Sequence, residues 1–294
     1  MLRKRLAALE KRFITLEDGR YGRLVGTGDP SAIRIEGAAG QGGLIAFHGF
    51  AGTPNEVRLL TDVAGRLGLS ARAPRLAGHD SDVHNLMNVG WDDWVSGATS
   101  ALFELCDATA RRVVVAGLSM GALLAAHLAA HHPDRVAGLI ALANATRLRL
   151  PSPALVLRLC EVLRPFDNAF YIPKAGADIR DPEARRRHLT YDVTPVRSAI
   201  EVLRAGRRVS ADLARVRCPT LVIHGALDQV CPVHNAARFA NALGTRDVTV
   251  AIMPHSGHIV SADADRAEVA RLAEEFVRRV LARPQGAPTR PSEG

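Results

Sequence analysis

Short apolar runs alternate with segments of helical periodicity along most of the chain. Apolar residues spaced three and four apart predict helices at 55–67, 91–105, 120–131 and 264–283. Strands that are apolar on both faces and alternate with helices are typical of a mostly parallel sheet with helices on both faces. The pattern therefore predicts an α/β fold, with buried strands at residues 44–47, 113–116, 136–142, 220–224 and 248–253.

The alternation stops between residues 146 and 208, where the sequence predicts no strand. Asp181-Pro182 and Thr194-Pro195 each place a capping side chain before a proline, which is typical of a helix start. A helical insertion in an α/β sheet is expected to form a lid over the carboxyl ends of the strands. The predicted organisation is an N-terminal extension and lead-in at 1–43, a core at 44–145 and 209–283, a helical lid at 146–208, and a disordered tail at 284–294.

Length and composition allow a large core. The 294 residues are 47% apolar, and the net charge of +8 is a mild excess carried almost entirely by arginine. The arginines are scattered in short groups and accompany no nucleic-acid-binding signature, so no nucleic-acid partner is expected. The longest apolar stretch, VVVAGLSMGALLAAHLAA, contains glycines and a serine, which indicates strand, turn and helix and no integral membrane span. The sequence indicates no oligomeric state.

The first twenty residues and the cysteines bear on location. The start, MLRKRLAALEKRFITLEDGR, lacks the uninterrupted apolar region of a secretory signal, and its leucines predict a short basic amphipathic helix. The cysteines form no CxxC pair, which indicates thiols in a reducing compartment. We therefore expect a cytoplasmic protein with four unpaired cysteines, at positions Cys106, Cys160, Cys218 and Cys231.

The pentapeptide Gly117-Leu118-Ser119-Met120-Gly121 lies between a predicted strand and a predicted helix. In that context a serine on the sharp turn adopts a strained backbone conformation, and its hydroxyl projects at the end of the sheet. Glycine at both flanking positions lets the strand and the helix approach each other. Ser119 is therefore predicted to be a nucleophile; the alternative is a Gly-Ser loop of purely structural origin.

A serine nucleophile needs a base, and the base needs an orienting carboxylate. Asp228 follows the predicted strand at 220–224 and His258 follows the one at 248–253, so the order Ser, Asp, His places each group on a loop after a strand. His258 is preferred as the base because Gly257 permits a tight turn, with His255 as its rival. Asp247 and Asp263 are the rivals of Asp228, although neither ends a strand.

Backbone N–H groups are needed for the oxyanion of the tetrahedral intermediate. One candidate is the N–H of Met120, at the start of the helix after the nucleophile. The other is the N–H of Phe50, because Gly49 and Gly52 let the loop after the first strand turn inward. His48 in the same loop is expected to brace it without transferring protons.

These motifs resemble those of serine α/β-hydrolases, and within them small bacterial carboxylesterases and monoacylglycerol lipases. The resemblance covers residues 44–280 and rests on HGFAGTP, APRLAGHD, GLSMGA, HHPDRV, HGALDQVCP and SGH. It implies the α/β-hydrolase fold, the triad Ser119, Asp228 and His258, and Phe50 and Met120 as oxyanion donors. Two residues depart from the pattern, Asp80 and Ala122, each in place of a glycine.

The expected function is hydrolysis of a small-molecule carboxylic ester through an acyl-enzyme on Ser119. The predicted lid is mostly apolar and suits an acyl chain, so soluble or micellar monoesters are expected, with Leu155, Leu159, Val162, Leu163, Phe166 and Phe170 as its apolar residues. Among monoesters, the resemblance implies monoacylglycerols first and esters with short to medium acyl chains next. The triad and the fold do not fix the bond that is cleaved, so a thioester, a lactone or a C–C bond is an alternative to the ester. A non-catalytic ligand receptor on the same fold is a further alternative.

No cofactor or metal is expected from the sequence. His127, His131 and His132 have helical spacing without the glutamate of a helical zinc-protease motif, so they are interpreted as helix-surface histidines. The glycine-rich segment GAAGQGG lacks the lysine of a phosphate-binding loop and precedes a strand.

Overall fold

Seven strands form the central sheet of this computed structural model, which describes residues 24–38, 40–79, 82–149, 171–174 and 176–283. The strands of the described residues, numbered in order, are β1 (Leu24–Val25), β2 (Ile33–Ile35), β3 (Gly43–Phe47), β4 (Ser70–Ala73), β5 (Val113–Leu118), β6 (Val136–Leu142), β7 (Tyr171–Pro173), β8 (Thr190–Tyr191), β9 (Val193–Pro195), β10 (Thr220–Gly225) and β11 (Val248–Met253).

The order of the central sheet is β11-β10-β6-β5-β3-β4-β2. All neighbouring strands are parallel except β2, which pairs antiparallel with β4 at one edge. The five predicted strands are confirmed with ends that differ by two residues or fewer. The edge strand β2 and its neighbour β4 were not predicted, and β2 falls within the segment expected to be a lead-in, so the sheet begins before residue 44.

Eight helices are described, and the predicted helices at 55–67, 91–105, 120–131 and 264–283 correspond to four of them. A 3₁₀ turn at Pro54–Val57 precedes the first helix, and another at Leu213–Arg215 follows the sixth. The helices are α1 (Arg58–Arg66), α2 (Val83–Met87), α3 (Trp91–Thr109), α4 (Met120–His131), α5 (Pro182–Arg187), α6 (Val196–Asp212), α7 (Asn235–Ala242) and α8 (Arg266–Leu281). None of the described helices is long and apolar enough to cross a bilayer.

Helices cover both faces of the sheet. On one face, Trp94 and Leu102 of α3 pack in a single core with Leu123 of α4 and Val202 of α6. On the other face, α1 and α8 contribute to a second core, Phe276 among its residues. Every residue of α4 is buried except His127 and His131, so α4 is the central helix of its layer.

The segment at 146–208 is not purely helical, which corrects the sequence prediction. Strands β7 and β9 pair with each other, and β8 pairs with β1. Asp181 caps α5 as predicted, since its side chain accepts hydrogen bonds from the N–H groups of Glu183 and Ala184. The predicted start at Thr194-Pro195 is displaced, because Thr194 belongs to β9 and α6 begins after Pro195 without a side-chain cap.

Several predictions fall on residues outside the described ranges. These are the N-terminal amphipathic helix, the disordered tail, the departure at Asp80, and the apolar lid residues Leu155, Leu159, Val162, Leu163, Phe166 and Phe170. The division of the chain into core and lid likewise stays a prediction.

Candidate active site

Ser119 occupies the sharp turn between β5 and α4, with φ 56° and ψ −113°. A positive φ is costly for a residue with a Cβ, so this backbone is strained, as the sequence predicts. Steric crowding explains the glycines on both sides of Ser119. A Cβ on Gly117 would overlap the backbone of Gly121, and a Cβ on Gly121 would overlap the carbonyl group of Phe47. Glycine is therefore required at position 117 because the strand and the helix approach each other, and at position 121 because the turn packs against β3.

Asp228 and His258 form a buried, hydrogen-bonded pair. The Nδ1 of His258 lies 2.8 Å from the Oδ2 of Asp228. Asp228 follows β10, and His258 follows β11, the neighbouring parallel strand. The carboxyl ends of parallel strands lie at the same edge of a sheet, and the turn with Ser119 follows β5 at that edge. The three predicted residues therefore lie at one edge of the sheet.

The pKa shifts of this pair have opposite signs. Burial acts to raise the pKa of Asp228, but the charge of His258 and the hydrogen bonds from His224 and His258 outweigh it and hold the pKa well below its usual range. Burial acts to lower the pKa of His258, but the charge and hydrogen bond of Asp228 raise it above its ordinary value. Asp228 is therefore ionised at neutral pH and stabilises a protonated His258.

The rival acids and the rival base are engaged elsewhere. The side chain of His255 is 75% exposed and pairs with Asp265 at 3.1 Å. Asp263 is buried, but its carboxylate accepts backbone N–H groups, including that of Gly257 at 2.7 Å. Asp247 forms ion pairs with Arg279 and Arg283. The geometry favours Asp228 and His258 over all three.

The loop after β3 lies against the nucleophile. A Cβ on Gly49 would lie 3.5 Å from the Cβ of Ser119. The N–H of Gly49 donates to Oε2 of Glu56 at 2.8 Å, and the N–H of Ala51 donates to Nε2 of His79 at 3.0 Å. The N–H of Phe50, between them, donates to no acceptor in the described part of the chain. Met120 is the first residue of α4, where an N–H has no intrahelical acceptor.

Buried side chains hold this loop in place. His48 is fully buried and its Nε2 accepts the N–H of Leu76 at 3.1 Å, which supports the bracing role expected for it. Glu56 pairs with His188 at 3.2 Å, and burial lowers the pKa of nearby Lys174 to about 8. Sequence reasoning missed Glu56, because a glutamate two residues after a proline at a helix start gives no sign of being buried.

Asp178 was also missed, and it connects the loops of the acid and the base. Its Oδ2 accepts the N–H of Gln229 at 2.7 Å and the N–H of His258 at 3.1 Å. Its Oδ1 accepts from the guanidinium of Arg180 at 2.9 Å. The carboxylate therefore fixes the spacing of the two loops, and Asp178 is a positioning residue.

His224 is a third residue that sequence reasoning missed. It is fully buried at the end of β10, and its Nε2 lies 3.0 Å from the Oδ2 of Asp228. Since an ionised carboxylate can only accept, Nε2 carries the proton. The same oxygen of Asp228 therefore accepts hydrogen bonds from two imidazoles.

We expect Asp178→Ala to lower kcat/KM for an ester substrate by about 10- to 100-fold, because the loops of Asp228 and His258 lose their shared acceptor. The negative charge of Asp178 also raises the pKa of His258, so the acid limb of the pH–rate profile should move to lower pH. Steady-state kinetics from pH 5 to 9 measure both effects. Asp247→Ala is the matched control. An unchanged kcat/KM in Asp178→Ala would contradict the positioning role, and an unshifted acid limb would contradict the effect of its charge on His258.

Two groups of side chains in the described residues have the composition of a metal site. One comprises Asp228, Cys231 and His258, whose ligand atoms lie within 4.8 Å of one another. Burial raises the pKa of the Cys231 thiol well above its ordinary value, so the sulfur is protonated and is a poor ligand. The other group comprises His127, His131 and Asp212, on the helices α4 and α6.

Comparison with known proteins agrees with this geometry. The family model Hydrolase_4, described as serine aminopeptidase S33, matches residues 40–265, which is most of the chain. The chain belongs to this family. The match confirms the α/β-hydrolase family that the sequence motifs indicate. Of the two residues that depart from those motifs, Ala122 lies in the described part of the chain and is buried in α4.

Two bacterial enzymes and one solved structure are similar to this chain. A thermostable monoacylglycerol lipase of Bacillus sp. strain H-257 is 28% identical over 240 residues, 80% of this chain and 89% of the lipase. A carboxylesterase of Bacillus subtilis strain 168 is 22% identical over 246 residues, 82% of this chain and 94% of the esterase. A structure from work on the metagenome-derived lipolytic enzymes LipS and LipT has a TM-score of 0.78 and 27% identity, covering 86% of this chain and 99% of its own.

Proposed function

We propose that this protein hydrolyses carboxylic monoesters through an acyl-enzyme on Ser119. The protein is a carboxylic-ester hydrolase, as its family and its similarity to a monoacylglycerol lipase and a carboxylesterase support. The observation that carries the catalytic assignment is the 2.8 Å contact between His258 and Asp228, at the same edge of the sheet as the strained Ser119.

In the proposed mechanism, His258 acts as the general base. Its Nδ1–H donates to Asp228, so the lone pair on Nε2 accepts the proton of Ser119 as the oxygen attacks the ester carbonyl. The imidazolium then gives that proton to the leaving alcohol. Water repeats the sequence, releases the acid and restores the serine. The N–H groups of Phe50 and Met120 are proposed to stabilise the oxyanion in both steps.

The proposed substrates are monoacylglycerols and other esters with short to medium acyl chains. Support comes from the similarity to the Bacillus monoacylglycerol lipase and from the apolar character of the predicted lid. Each CH₂ buried in an apolar cleft contributes about 0.8 kcal/mol. A cleft that binds the acyl chain should therefore bind longer chains more tightly, up to the chain length that fills the cleft.

A series of p-nitrophenyl esters from C2 to C16, followed by mono- and triacylglycerols, tests this assignment. We expect kcat/KM to rise with chain length from C2, pass through a maximum, and favour mono- over triacylglycerol. Acyl-CoA thioesters, lactones and an L-aminoacyl p-nitroanilide complete the panel. Faster turnover of any of these three, or of a triacylglycerol emulsion, would contradict the monoester assignment.

The pH–rate profile should report His258. The base must be neutral, and Asp228 raises its pKa, so kcat/KM should fall as pH drops through an apparent pKa above the ordinary histidine value of about 6.5. Steady-state kinetics with a soluble p-nitrophenyl ester measure this limb. A rate independent of pH between 5 and 9 would be inconsistent with histidine as the base.

A cytoplasmic location is part of the proposal. Among the described residues, Cys106, Cys218 and Cys231 are free thiols. Unpaired thiols are typical of a reducing compartment. Cell fractionation, followed by detection of the protein in each fraction with a specific antibody, tests the location directly.

A further inference from the structure

Two histidines form the partly exposed stripe of the central helix. Every other residue of α4 is buried, whereas His127 and His131, one turn apart, remain partly accessible to water. Their rings are stacked, with centroids 4.2 Å apart and planes inclined by 29°. Two imidazoles at positions i and i+4 therefore lie side by side at the protein surface, on a helix whose other residues are buried.

A carboxylate from another helix completes the group. Asp212 is the last residue of α6, and its Oδ2 lies 3.3 Å from the Nε2 of His131. One ligand atom from each of His127, His131 and Asp212 lies within 4.8 Å of the other two. The other oxygen of Asp212 faces the guanidinium of Arg215 at 3.7 Å, which leaves Oδ2 directed at the histidines.

The donor set and its spacing fit a divalent transition metal. Two imidazoles and one carboxylate are ligands that Zn²⁺ takes in open, three-ligand sites. Bonds of about 2.0–2.2 Å in a tetrahedral site separate neighbouring ligand atoms by about 3.3–3.6 Å. His131 and Asp212 already have this separation. The ligand atom of His127 lies within 4.8 Å of both, so a side-chain adjustment of this partly accessible histidine would complete the site.

We propose that His127, His131 and Asp212 bind Zn²⁺, or a cation of similar preference, and thereby cross-link α4 to α6. Sequence reasoning interpreted the histidines as surface residues because it sought a glutamate on the same helix. The carboxylate instead comes from α6, 81 positions after His131. Only the packing of α6 on α4 brings the three ligands together.

The proposed metal site is separate from the catalytic residues. His131 lies twelve residues along α4 from Ser119, which is about 18 Å at 1.5 Å per residue. The helix starts at the carboxyl edge of the sheet and runs back toward the opposite edge. The bound cation would therefore stabilise the packing of two helices and would not contact the ester substrate.

Titration of the full-length, tag-free protein with ZnCl₂ by isothermal calorimetry tests the proposal. We expect one saturable site, weakened at least about 10-fold by Asp212→Asn and by His131→Ala, since losing a direct ligand should cost no less than losing an outer-shell partner. His131→Gln provides a second variant should His131→Ala be unstable. His132→Ala, on the adjacent residue, is the matched control and should bind like the unaltered protein.

Tryptophan fluorescence gives a local readout that does not depend on heat signals. The chain has two tryptophans, and the ring of Trp91 lies 5.8 Å from that of His127. CuCl₂ should therefore quench the emission at equimolar metal, and Asp212→Asn should remove this quenching. Absence of a saturable site, equal affinity in Asp212→Asn, or loss of binding in Cys231→Ala instead would overturn the proposal; the last result would locate the cation at the Asp228–His258 pair.

Discussion

Ser119→Ala is expected to lower kcat/KM for p-nitrophenyl esters by on the order of 10⁴-fold or more, because the nucleophile of the acyl-enzyme step is removed. The fold should be unaffected. Alanine and serine both carry a Cβ, so both bear the same strain at φ 56°, and the serine side chain is replaced by a smaller one. Steady-state kinetics, together with the thermal midpoint of unfolding, measure the two effects separately.

Ser210→Ala is the matched control for this substitution. The hydroxyl of Ser210 donates only to the carbonyl oxygen of Gly206 within α6, so its loss should leave the activity unchanged. A fluorophosphonate label should add one adduct to the unaltered protein, at Ser119 by peptide mapping, and none to Ser119→Ala. An adduct on Cys231 or on another serine would show that the nucleophile has been assigned wrongly.

The central strands could be predicted because they are buried on both faces. Strands such as β5 and β6 are continuous apolar runs, and a parallel sheet covered by helices requires this. The two strands that were not predicted, β2 at the edge and its neighbour β4, have weaker patterns. In β2, Arg34 interrupts two isoleucines, and β4 is the sequence SARA, which contains no residue with a strong preference for strands. β4 pairs with β3 and β2 pairs with β4, and both pairings join residues that are distant in sequence.

The triad could be predicted from the order of strands and loops, whereas the residues that support it could not be predicted. Asp228 and His258 each come directly after a predicted strand, so a parallel sheet brings them to one edge. Asp178 belongs to a loop of irregular pattern, and its partners Gln229 and His258 are 51 and 80 positions away. No local periodicity reports a contact of that kind. The burial of Glu56 under the loop after β3 has the same origin.

The two histidines after β11 should respond to substitution in opposite ways. His258→Ala is expected to lower kcat/KM by on the order of 10⁴-fold, comparable to the loss in Ser119→Ala, because the general base and its link to Asp228 are removed together. His255→Ala should retain most of the activity. Its ring is 75% exposed and contacts Asp265 on the outside of the same loop.

The comparison also separates catalysis from loop structure, since both variants alter the same turn. The loop keeps its shape in His255→Ala because the backbone N–H of His255 still donates to Asp265 at 2.8 Å and the N–H of Gly257 still donates to Asp263. The double variant Ser119→Ala/His258→Ala should be no less active than either single variant, since the two groups act in one proton transfer. Full activity in His258→Ala with loss in His255→Ala would assign the base to His255 and leave the Asp228–His258 contact without a catalytic role.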